Sequence, residues 1–339
     1  MRAVVYTETG PSSVLRLVDR DLPEPGPGEV RVRLLRSGVN PTDWKFRVGG
    51  MRGHDEVTPG HDGAGLVDAV GPGVEGLEPG DRVWLVLANH GKAHGTAAEY
   101  TVQPASKVVR LPASASYDLG ASLGVPAVTA HRALTAAEDG PARLGPGALD
   151  GKVVLVAGGA GAVGNAAIQL ARWSGATVVT TVSSDEKARL ARAAGAHHVI
   201  DYRAAGEDTA RRILEVAPGG VDIAVEVAPA QNAALDIEVV RVHGLVSIYA
   251  NNGGDAMTMP LRAAFSKNLR FQFLILYTLH EDLVQAAVED VSAAVDAGAL
   301  RVGEEAGLPL HHHPLEETAA AHDAVESGAV GKVLIDVGD

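Results

Sequence analysis

One stretch of the chain has glycines at the spacing that brings backbone close to phosphate groups. Residues 159–164 read Gly-Ala-Gly-Ala-Val-Gly, which matches the pattern G-x-G-x-x-G. In this pattern the first glycine permits a tight turn, the second lets backbone approach a pyrophosphate, and the third lets a helix pack against its strand. The free N–H groups of that helix then face the phosphates. The sequence therefore predicts a dinucleotide site formed by Gly159, Ala160, Gly161, Ala162, Val163 and Gly164.

The residues around this loop supply the strand and the helix that the pattern requires. Val153 to Val156 is a continuous apolar run, typical of a parallel strand covered on both faces. After the loop, apolar residues recur at helical spacing from Val163 to Ala171. Strand-like and helix-like runs then alternate as far as Ala250. This alternation predicts an α/β fold with a doubly wound parallel sheet.

The composition is that of a globular protein with two domains. The chain has 339 residues, of which 46% are hydrophobic, and this is ample for two packed cores. The absence of cysteine excludes disulfides and thiolate zinc sites. A formal charge of -13 with dispersed basic residues argues against nucleic-acid binding. Because no run of about 18 apolar residues and no signal-peptide pattern is present, we expect a cytoplasmic protein with no membrane association.

The first part of the chain differs from the centre in its pattern of apolar runs and turns. Up to about residue 124 it has short alternating runs, such as Val30 to Leu34, separated by turn clusters. This pattern predicts a compact, mostly antiparallel β domain. The end of the chain returns to the same pattern, so we expect this domain to be discontinuous. The expected domains are 1–124 with 298–339, and a dinucleotide-binding domain at 125–297.

Short motifs are spread over nearly the whole chain. Besides the glycine loop they are Ser37–Asp43, Pro59–Gly65, Gly80–Val83, His94–Tyr100, Leu123–Ala130 and Gly331–Val333. Together these motifs resemble those of the zinc-free, zeta-crystallin-like quinone oxidoreductases, a branch of the medium-chain dehydrogenase/reductase superfamily. The resemblance implies a GroES-like, mostly β catalytic domain, a Rossmann domain that binds the cofactor, and a cleft between them.

The resemblance also bears on metal binding. Zinc-dependent relatives have a cysteine where this chain has Asn40, a histidine where it has His61, and a further ligand later. One imidazole does not make a catalytic zinc site, which needs about three protein ligands. His90 and His94 lie among glycines, and the run His311–His313 is more simply a solvated loop than a chelate. We therefore expect no bound metal.

The residues after the second strand of the sheet predict which dinucleotide binds. Sites that prefer NAD place Asp or Glu about 20 residues past the glycine loop, where it holds the ribose 2′-hydroxyl. This chain has Ser183 there, with Lys187 one helical turn later and Tyr202 after the third strand. Hydroxyl donors and a positive charge favour a 2′-phosphate, so we expect NADPH. Ser184 belongs to the same pocket, and by resemblance the rest of the cofactor groove is lined by Ala250, Asn251, Phe273, Leu274 and Lys332.

The resemblance places the candidate catalytic residues just after the first long strand. Asn40, Asp43 and Trp44 lie on the segment that faces the nicotinamide in the family. Asn40 has N–H donors that can polarise an acceptor's oxygen, although an Asx turn before Pro41 is the structural alternative. Asp43 is either a proton source or a structural hydrogen-bonding partner. Trp44 is either an apolar wall of the site or a core residue.

These observations leave three alternative functions. The leading hypothesis is an NADPH-dependent reductase of quinones or other conjugated carbonyls, whose enolate or quinol oxygen can take its proton from solvent. The second is an enoyl-thioester reductase, which needs a place for the long acyl carrier and which a basic rim at the mouth of the cleft would favour. The third is a non-catalytic NADPH-binding protein of the crystallin-like or RNA-contacting kind.

The stretch Leu269 to Tyr277, LRFQFLILY, predicts how the chain assembles. It is too apolar to be an exposed sheet edge, where unpaired backbone invites aggregation. In the related family the corresponding strand pairs with its symmetry mate across a two-fold axis, and two-fold dimers are the commonest assemblies. We therefore expect a homodimer, with burial of the strand inside one subunit as the alternative.

Overall fold

The computed structural model describes residues 1–50 and 53–338. The chain divides into a first unit, Met1–Val125 with Pro309–Asp339, and a second unit, Pro126–Leu308. The first unit is thus assembled from both ends of the chain. The sequence predicts that the second segment of this unit begins at position 298, whereas in the structure it begins at Pro309.

The segment before this boundary is held by a helix of the second unit. The Asn165 side-chain amide donates to the carbonyl of Ala306 at 2.8 Å. The Gln169 amide, one helical turn later, donates to the carbonyl of Arg301 at 3.0 Å. These side-chain contacts attach residues 301–306 to the second unit. The sequence pattern does not change at these residues.

The described residues form the following strands and helices, numbered in chain order. The strands are β1 (Arg2–Val5), β2 (Arg16–Asp19), β3 (Glu29–Val39), β4 (Asp62–Val70), β5 (Arg82–Leu85), β6 (Tyr100–Pro104), β7 (Val108–Arg110), β8 (Val153–Ala157), β9 (Thr177–Val182), β10 (His198–Asp201), β11 (Val221–Glu226), β12 (Val240–Ile248), β13 (Arg270–Phe273), β14 (Leu310–Pro314) and β15 (Lys332–Asp336). The helices are α1 (Pro41–Gly49), α2 (Tyr117–Gly120), α3 (Gly124–Leu134), α4 (Ala162–Trp173), α5 (Asp185–Ala193), α6 (Tyr202–Ala205), α7 (Thr209–Val216), α8 (Pro229–Val239), α9 (Leu261–Ser266), α10 (Glu281–Asp296) and α11 (Thr318–Glu326). None of these helices is long and apolar enough to cross a bilayer.

The first unit is built on the long strand β3. This strand pairs antiparallel with β15, β4 and β6 in a sheet of order β14-β15-β3-β4-β5-β7, while β1 and β2 form a separate ribbon. Alternate residues of β3, among them Val30, Val32 and Leu34, are buried, as a strand with one face on the core requires. Because β15 pairs with residues 36–39 of β3, the end of the chain belongs to this unit. The predicted mostly antiparallel β domain is confirmed.

The second unit contains a six-stranded parallel sheet in the order β10-β9-β8-β11-β12-β13. The central strand β8 carries Val154 and Val156, which are fully buried. The order runs outward from β8 in two directions, with helices connecting successive strands, and this is the predicted doubly wound topology. The carboxyl ends of β8, β9 and β11 therefore meet at one edge, where ligands bind in sheets of this kind.

The strand predicted at Leu269 to Tyr277 is shorter than the sequence indicates. β13 ends at Phe273, and Leu276–Thr278 forms a short 3-10 turn. Leu274 and Leu276 are buried, whereas Phe273 and Ile275 are more than half exposed. The buried leucines turn the backbone toward the core after four residues of pairing, and this shortens the strand. β13 is the last strand of the sheet, paired on one side with β12.

Candidate functional site

The glycine loop lies between β8 and α4, as the sequence predicts. Its left-handed residue is Gly158, with a φ of 68°, and not the first glycine of the pattern. Gly159 is required for another reason, because a Cβ there would collide with the Thr180 hydroxyl of β9. The turn-forming role predicted for Gly159 therefore belongs to Gly158. The signal in the sequence is the preceding glycine, which lies outside the six-residue pattern.

The other two glycines of the pattern have the positions that phosphate binding needs. A Cβ at Gly164 would collide with the carbonyl oxygen of Gly158, so only glycine lets α4 approach the turn this closely. Gly161 is exposed, and a Cβ there would meet nothing closer than the Gly158 carbonyl at 3.5 Å. The first N–H groups of α4, which begins at Ala162, have no partner within the helix. The loop thus presents an open backbone surface next to a helix N-terminus.

A pair of polar side chains lies at the end of the neighbouring strand β9. The Lys187 ammonium donates to the Ser183 hydroxyl at 3.1 Å. The parallel register pairs Asp201 of β10 with Val182 of β9, so Tyr202 follows its strand beside Ser183. Tyr202 is 45% exposed. The structure therefore gathers the three residues that the sequence assigns to the 2′-phosphate.

Ser184 has a different role from the one predicted. Its hydroxyl accepts the backbone N–H of Lys187 at 3.3 Å and caps the N-terminus of α5. A serine at this position stabilises a helix by about 1 kcal/mol. The hydroxyl oxygen is thereby used as an acceptor within the protein, while its O–H remains a donor.

The residues that the resemblance assigns to the rest of the groove have mixed environments. Ala250 and Asn251 follow β12, and the Asn251 amide donates to Asp255 at 2.5 Å. Phe273 is 61% exposed at the end of β13, while the Leu274 side chain is buried. The buried leucine can meet a ligand only through its backbone.

In the first unit, three buried polar residues meet where β3, β4 and β15 come together. The Lys332 ammonium donates to Asn40 Oδ1 at 2.7 Å and to Asp62 Oδ2 at 3.1 Å. The Asn40 amide in turn donates to Asp62 Oδ2 at 2.7 Å. Each of the three is at most 2% exposed. The strand register brings them together, since Val333 pairs with Val39 and Gly38 with Asp62.

This cluster corrects two assignments made from the sequence. One N–H of the Asn40 amide donates to Asp62, and the amide oxygen accepts from Lys332. The second N–H points at the Gly38 carbonyl at 3.5 Å. The better-aligned N–H bond is thereby used within the protein, which counts against Asn40 as the donor to an acceptor's oxygen. The Lys332 ammonium is buried against Asp62 and does not line a cofactor groove. Sequence reasoning does not single out Asp62, whose pKa is raised by burial against the opposing effect of Lys332.

Asp43 holds the first turn of α1 and a neighbouring imidazole. Its Oδ1 pairs with His61 Nδ1 at 2.6 Å, and its Oδ2 accepts the Asn40 backbone N–H at 2.7 Å. Burial alone would raise the pKa of Asp43, but the His61 and His322 imidazoles and the Asn40 N–H hold it below its ordinary value. The geometry favours the structural alternative for Asp43. Trp44 is half-buried, with the Lys45 ammonium 5.8 Å from its ring centroid.

A second polar contact, between α1 and α11, has no counterpart in the sequence-based predictions. Arg47 is fully buried, and its Nη2 donates to Glu326 Oε2 at 2.9 Å. One turn earlier Asp43 faces His322, and burial lowers the pKa of His322 to about 4. The sequence signal is a matched spacing, because Asp43 and Arg47 are four residues apart and so are His322 and Glu326.

The described residues contain no cluster of three or more His, Cys, Asp or Glu side chains that could hold a metal ion. The residues at the position of the zinc ligands also fit a metal poorly, because the Lys332 ammonium already occupies the oxygens of Asn40 and Asp62. His61 has its Nδ1 on Asp43. A zinc ion would have to displace an internal cation and would find one imidazole and no thiolate.

Comparisons with known proteins agree on one family. Family models match residues 26–113, described as an alcohol dehydrogenase GroES-like domain, and residues 162–293, described as a zinc-binding dehydrogenase. A quinone oxidoreductase of Lama guanicoe is 31% identical over 99% of this chain and 97% of its own length. Among solved structures, an NAD-dependent alcohol dehydrogenase has a TM-score of 0.86 at 29% identity over 100% of both chains. A mycobacterial protein solved with NADPH has a TM-score of 0.82 at 29% identity over 99% of both chains.

Proposed function

Because the chain belongs to the quinone oxidoreductase branch of the medium-chain dehydrogenase/reductase family, we propose that it transfers hydride from NADPH to a quinone or another conjugated carbonyl, without zinc. When bound, NADPH supplies the hydride. The protein supplies the binding surface, the orientation and the exclusion of water.

The observation that carries the cofactor assignment is the pairing of an open glycine loop with a basic and hydroxylic pocket. Gly161 leaves room for the pyrophosphate at the N-terminus of α4. Ser183, Lys187 and Tyr202 lie together at the next strand end, and no carboxylate stands at the Ser183 position to repel a 2′-phosphate. Charge-assisted hydrogen bonds from an ammonium suit a phosphate dianion.

The donor set of the first unit supports zinc independence. Lys332 provides a fixed positive charge between Asn40 and Asp62, and Asn40 stands in place of a thiolate ligand. A neutral carboxamide oxygen held by an ammonium is a poor ligand for zinc, which prefers thiolate and imidazole. The polar atoms of Asn40, Asp43 and Asp62 are directed at one another, so they maintain the shape of the segment. We propose that solvent supplies the proton to the enolate or quinol oxygen.

The test is an acceptor panel of quinones, enones and enoyl thioesters assayed with NADPH. We expect oxidation of NADPH with at least one quinone or enone, and full activity after treatment with a chelator. Inhibition by the chelator that added zinc restores would overturn zinc independence. Absence of turnover on the whole panel, with NADPH still bound, would favour the non-catalytic alternative.

A Gly161→Ala variant should bind NADPH more weakly while folding normally. The φ of this residue is ordinary, and the added methyl meets no protein atom closer than 3.5 Å, so the loop accepts it. The methyl occupies space that the pyrophosphate needs, and overpacking of this kind costs about 1–3 kcal/mol, or roughly five- to 150-fold in affinity. Titration of NADPH fluorescence measures the dissociation constant.

Gly145→Ala is the matched control, since a Cβ there meets nothing within 4 Å. It should leave NADPH affinity unchanged. Gly164→Ala should instead lower the melting temperature, because its Cβ collides with the Gly158 carbonyl. Wild-type NADPH affinity in Gly161→Ala would show that the pyrophosphate lies elsewhere.

A basic cavity in the first unit favours a second candidate, the reduction of enoyl thioesters. This cavity of about 280 Å³ is bounded by Phe46 and by the basic residues His54, His90 and Lys92, and its described lining has no acidic residue. Lys92 is partly neutralised by Glu29 at 2.6 Å. A lining with basic and no acidic side chains, on a chain of charge -13, suits the phosphates of an acyl carrier. A preference for a phosphate-bearing enoyl thioester over its truncated form, lost in Lys92→Ala, would support this candidate.

We propose that the chain forms a two-fold homodimer through the free side of β13. This strand ends the sheet, and Phe273, Ile275, Leu261 and Phe265 are each more than half exposed near it. An apolar sheet edge is an aggregation risk unless another strand covers it. Pairing with the same strand of a second copy satisfies the free backbone groups and closes the assembly.

Light scattering should give about twice the chain mass of 34.9 kDa. A Phe273→Lys variant should shift the mass toward the monomer, because it places a charge in the paired edge. Leu17→Lys is the control, as Leu17 is an exposed apolar residue of the first unit. A wild-type monomer at micromolar concentration would contradict the dimer.

Two expectations from composition stay predictions. They are a cytoplasmic location and the absence of a nucleic-acid partner. The formal charge of -13 supports the second, because a protein of this charge repels phosphate polymers.

A further inference from the structure

Two acidic residues of the second unit are buried against each other beside the cofactor loop. Glu226 is the last residue of β11, and Asp236 lies on α8. Each is 1% exposed. Carboxylates are almost never buried without a partner, since an unpaired buried charge costs several kcal/mol. How this pair is neutralised therefore requires a physical explanation.

The hydrogen bonds are divided unequally between the two carboxyl groups. Glu226 accepts the Ala228 backbone N–H and the Asn232 amide, which lies 3.1 and 3.2 Å from its two oxygens. Asp236 accepts no hydrogen bond from an N–H or O–H group of the described residues, although both of its oxygens are buried. Its neighbour is the Glu226 carboxyl. A proton held between the two groups gives one Asp236 oxygen a hydrogen-bonding partner and removes one of the two charges.

Among the residues that the structure describes, no cation forms an ion pair with either carboxyl group. The uncharged Asn232 amide faces the pair, and the titratable group that faces it is the Tyr249 phenol after β12. Burial and the charge of Glu226 raise the pKa of Tyr249. On α7, Arg211 is exposed and paired with Asp208 and Glu215, and on α9 Arg262 is exposed. The Lys267 ammonium lies at the same end of α8 as Asp236, but it donates to the carbonyls of residues 237, 238 and 240 and not to the Asp236 oxygens. Burial, followed by the charge of Glu226, raises the pKa of Asp236 well above its ordinary value.

The backbone around Glu226 forms part of the nucleotide-binding edge. The Tyr249 N–H donates to the Glu226 carbonyl at 3.1 Å, and the Asn252 N–H donates to the Val227 carbonyl at 3.0 Å. Val227 also packs on the glycine loop, since a Cβ at Gly158 would lie 3.4 Å from its side chain. The bend after β11 thus connects the glycine loop with residues 249–252. A movement of α8 away from β11 would disturb both.

We propose that Glu226 and Asp236 share one proton and act as a positioning pair, which holds α8 against β11 and keeps the dinucleotide edge in its binding shape. The inference rests on the proposed NADPH binding. When the shared proton is lost, two adjacent carboxylates repel each other in a buried site, and the bend after β11 loosens. NADPH affinity should therefore fall as the pair ionises.

The experiment measures the NADPH dissociation constant between about pH 6 and pH 10 for wild type, Asp236→Asn and Glu226→Gln. In wild type we expect the constant to rise by roughly ten-fold at alkaline pH, the change that corresponds to one unit of pKa difference between free and bound forms. Each amide variant lacks the second carboxylate and hence the repulsion between the two, so its constant should change much less than that of wild type over that range. Glu238→Gln, an exposed position on the same helix, should follow wild type.

Infrared difference spectroscopy on the cofactor-free protein tests the proton directly. A band from a protonated carboxyl should titrate in wild type over the same pH range and be missing in both amide variants. A flat wild-type affinity profile, or a wild-type profile in both amide variants, would overturn the positioning role. Failure of NADPH to bind at any pH, with the infrared band present, would instead overturn the proposed function and leave the shared proton in place.

Discussion

A Lys332→Met variant should lose about 3–5 kcal/mol of unfolding free energy, the usual cost of breaking a buried ion pair by removing one partner. In the native protein the Lys332 ammonium lies 3.1 Å from Asp62 Oδ2 and 2.7 Å from Asn40 Oδ1, and Lys332 and Asp62 are both almost fully buried. Methionine has a similar volume, so the change removes charge and hydrogen bonds with little cavity. Urea denaturation at several pH values measures the loss.

The pH dependence of this loss has a defined sign. Burial already raises the pKa of Asp62, and removing the lysine removes the main effect that lowers it. A carboxyl whose folded-state pKa lies above the unfolded value stabilises the fold at acid pH, and this contribution is lost as pH rises through the folded-state pKa. The variant should therefore be closest to wild type near about pH 4 and lose stability steadily toward neutral pH.

A double variant separates charge from packing. Asp62→Asn with Lys332→Met has no charge at either of the two positions, so it should recover much of the lost stability and lose the pH dependence. Equal stability of Lys332→Met and wild type at neutral pH would show that the ammonium is not the partner that neutralises Asp62.

A Lys187→Ala variant should bind NADPH about 10- to 150-fold more weakly, which corresponds to about 1.5–3 kcal/mol for a hydrogen bond to a charged group. The ammonium lies 3.1 Å from the Ser183 hydroxyl, at the strand end where a 2′-phosphate would sit. NADH lacks that phosphate, so its affinity should be nearly unchanged. The comparison of both dissociation constants by fluorescence titration checks the assignment.

Arg192→Ala is the control for this experiment, because Arg192 is an exposed cation on the same helix. It should leave both constants as they are. If Lys187→Ala weakened NADH and NADPH equally, the residue would serve the helix or the loop and not the 2′-phosphate.

Local signals in the sequence were sufficient for the strand, the glycine loop and the helix at the centre of the second unit. A strand, a glycine turn and a helix lie within about 20 residues of each other, and their periodicities do not depend on distant parts of the chain. The exchange of roles between Gly158 and Gly159 escaped prediction because it depends on Thr180, a residue of the neighbouring strand.

The first unit shows where such reasoning fails. The resemblance identified Asn40, Asp43 and Lys332, but their roles depend on partners that only the folded sheet brings near. Lys332 lies 292 residues from Asn40 in sequence and 2.7 Å from it in space. In the second unit, the strand predicted at Leu269 to Tyr277 is too long for a related reason. Alternating burial after Phe273 follows from core packing and not from strand pairing.

The pairing of β15 with β3 also affects how the protein is made. The ribosome synthesises residues 1–125 first, yet the strand that covers one side of β3 and the ammonium that neutralises Asp62 are not made until about two hundred residues later. Until then the nascent first unit has an open strand edge and an uncompensated acidic group in its interior. The second unit lies between these parts in the sequence and contains all the strands of its own sheet. We therefore expect it to acquire protease resistance first, with the N-terminal segment following only after β15 has left the ribosome.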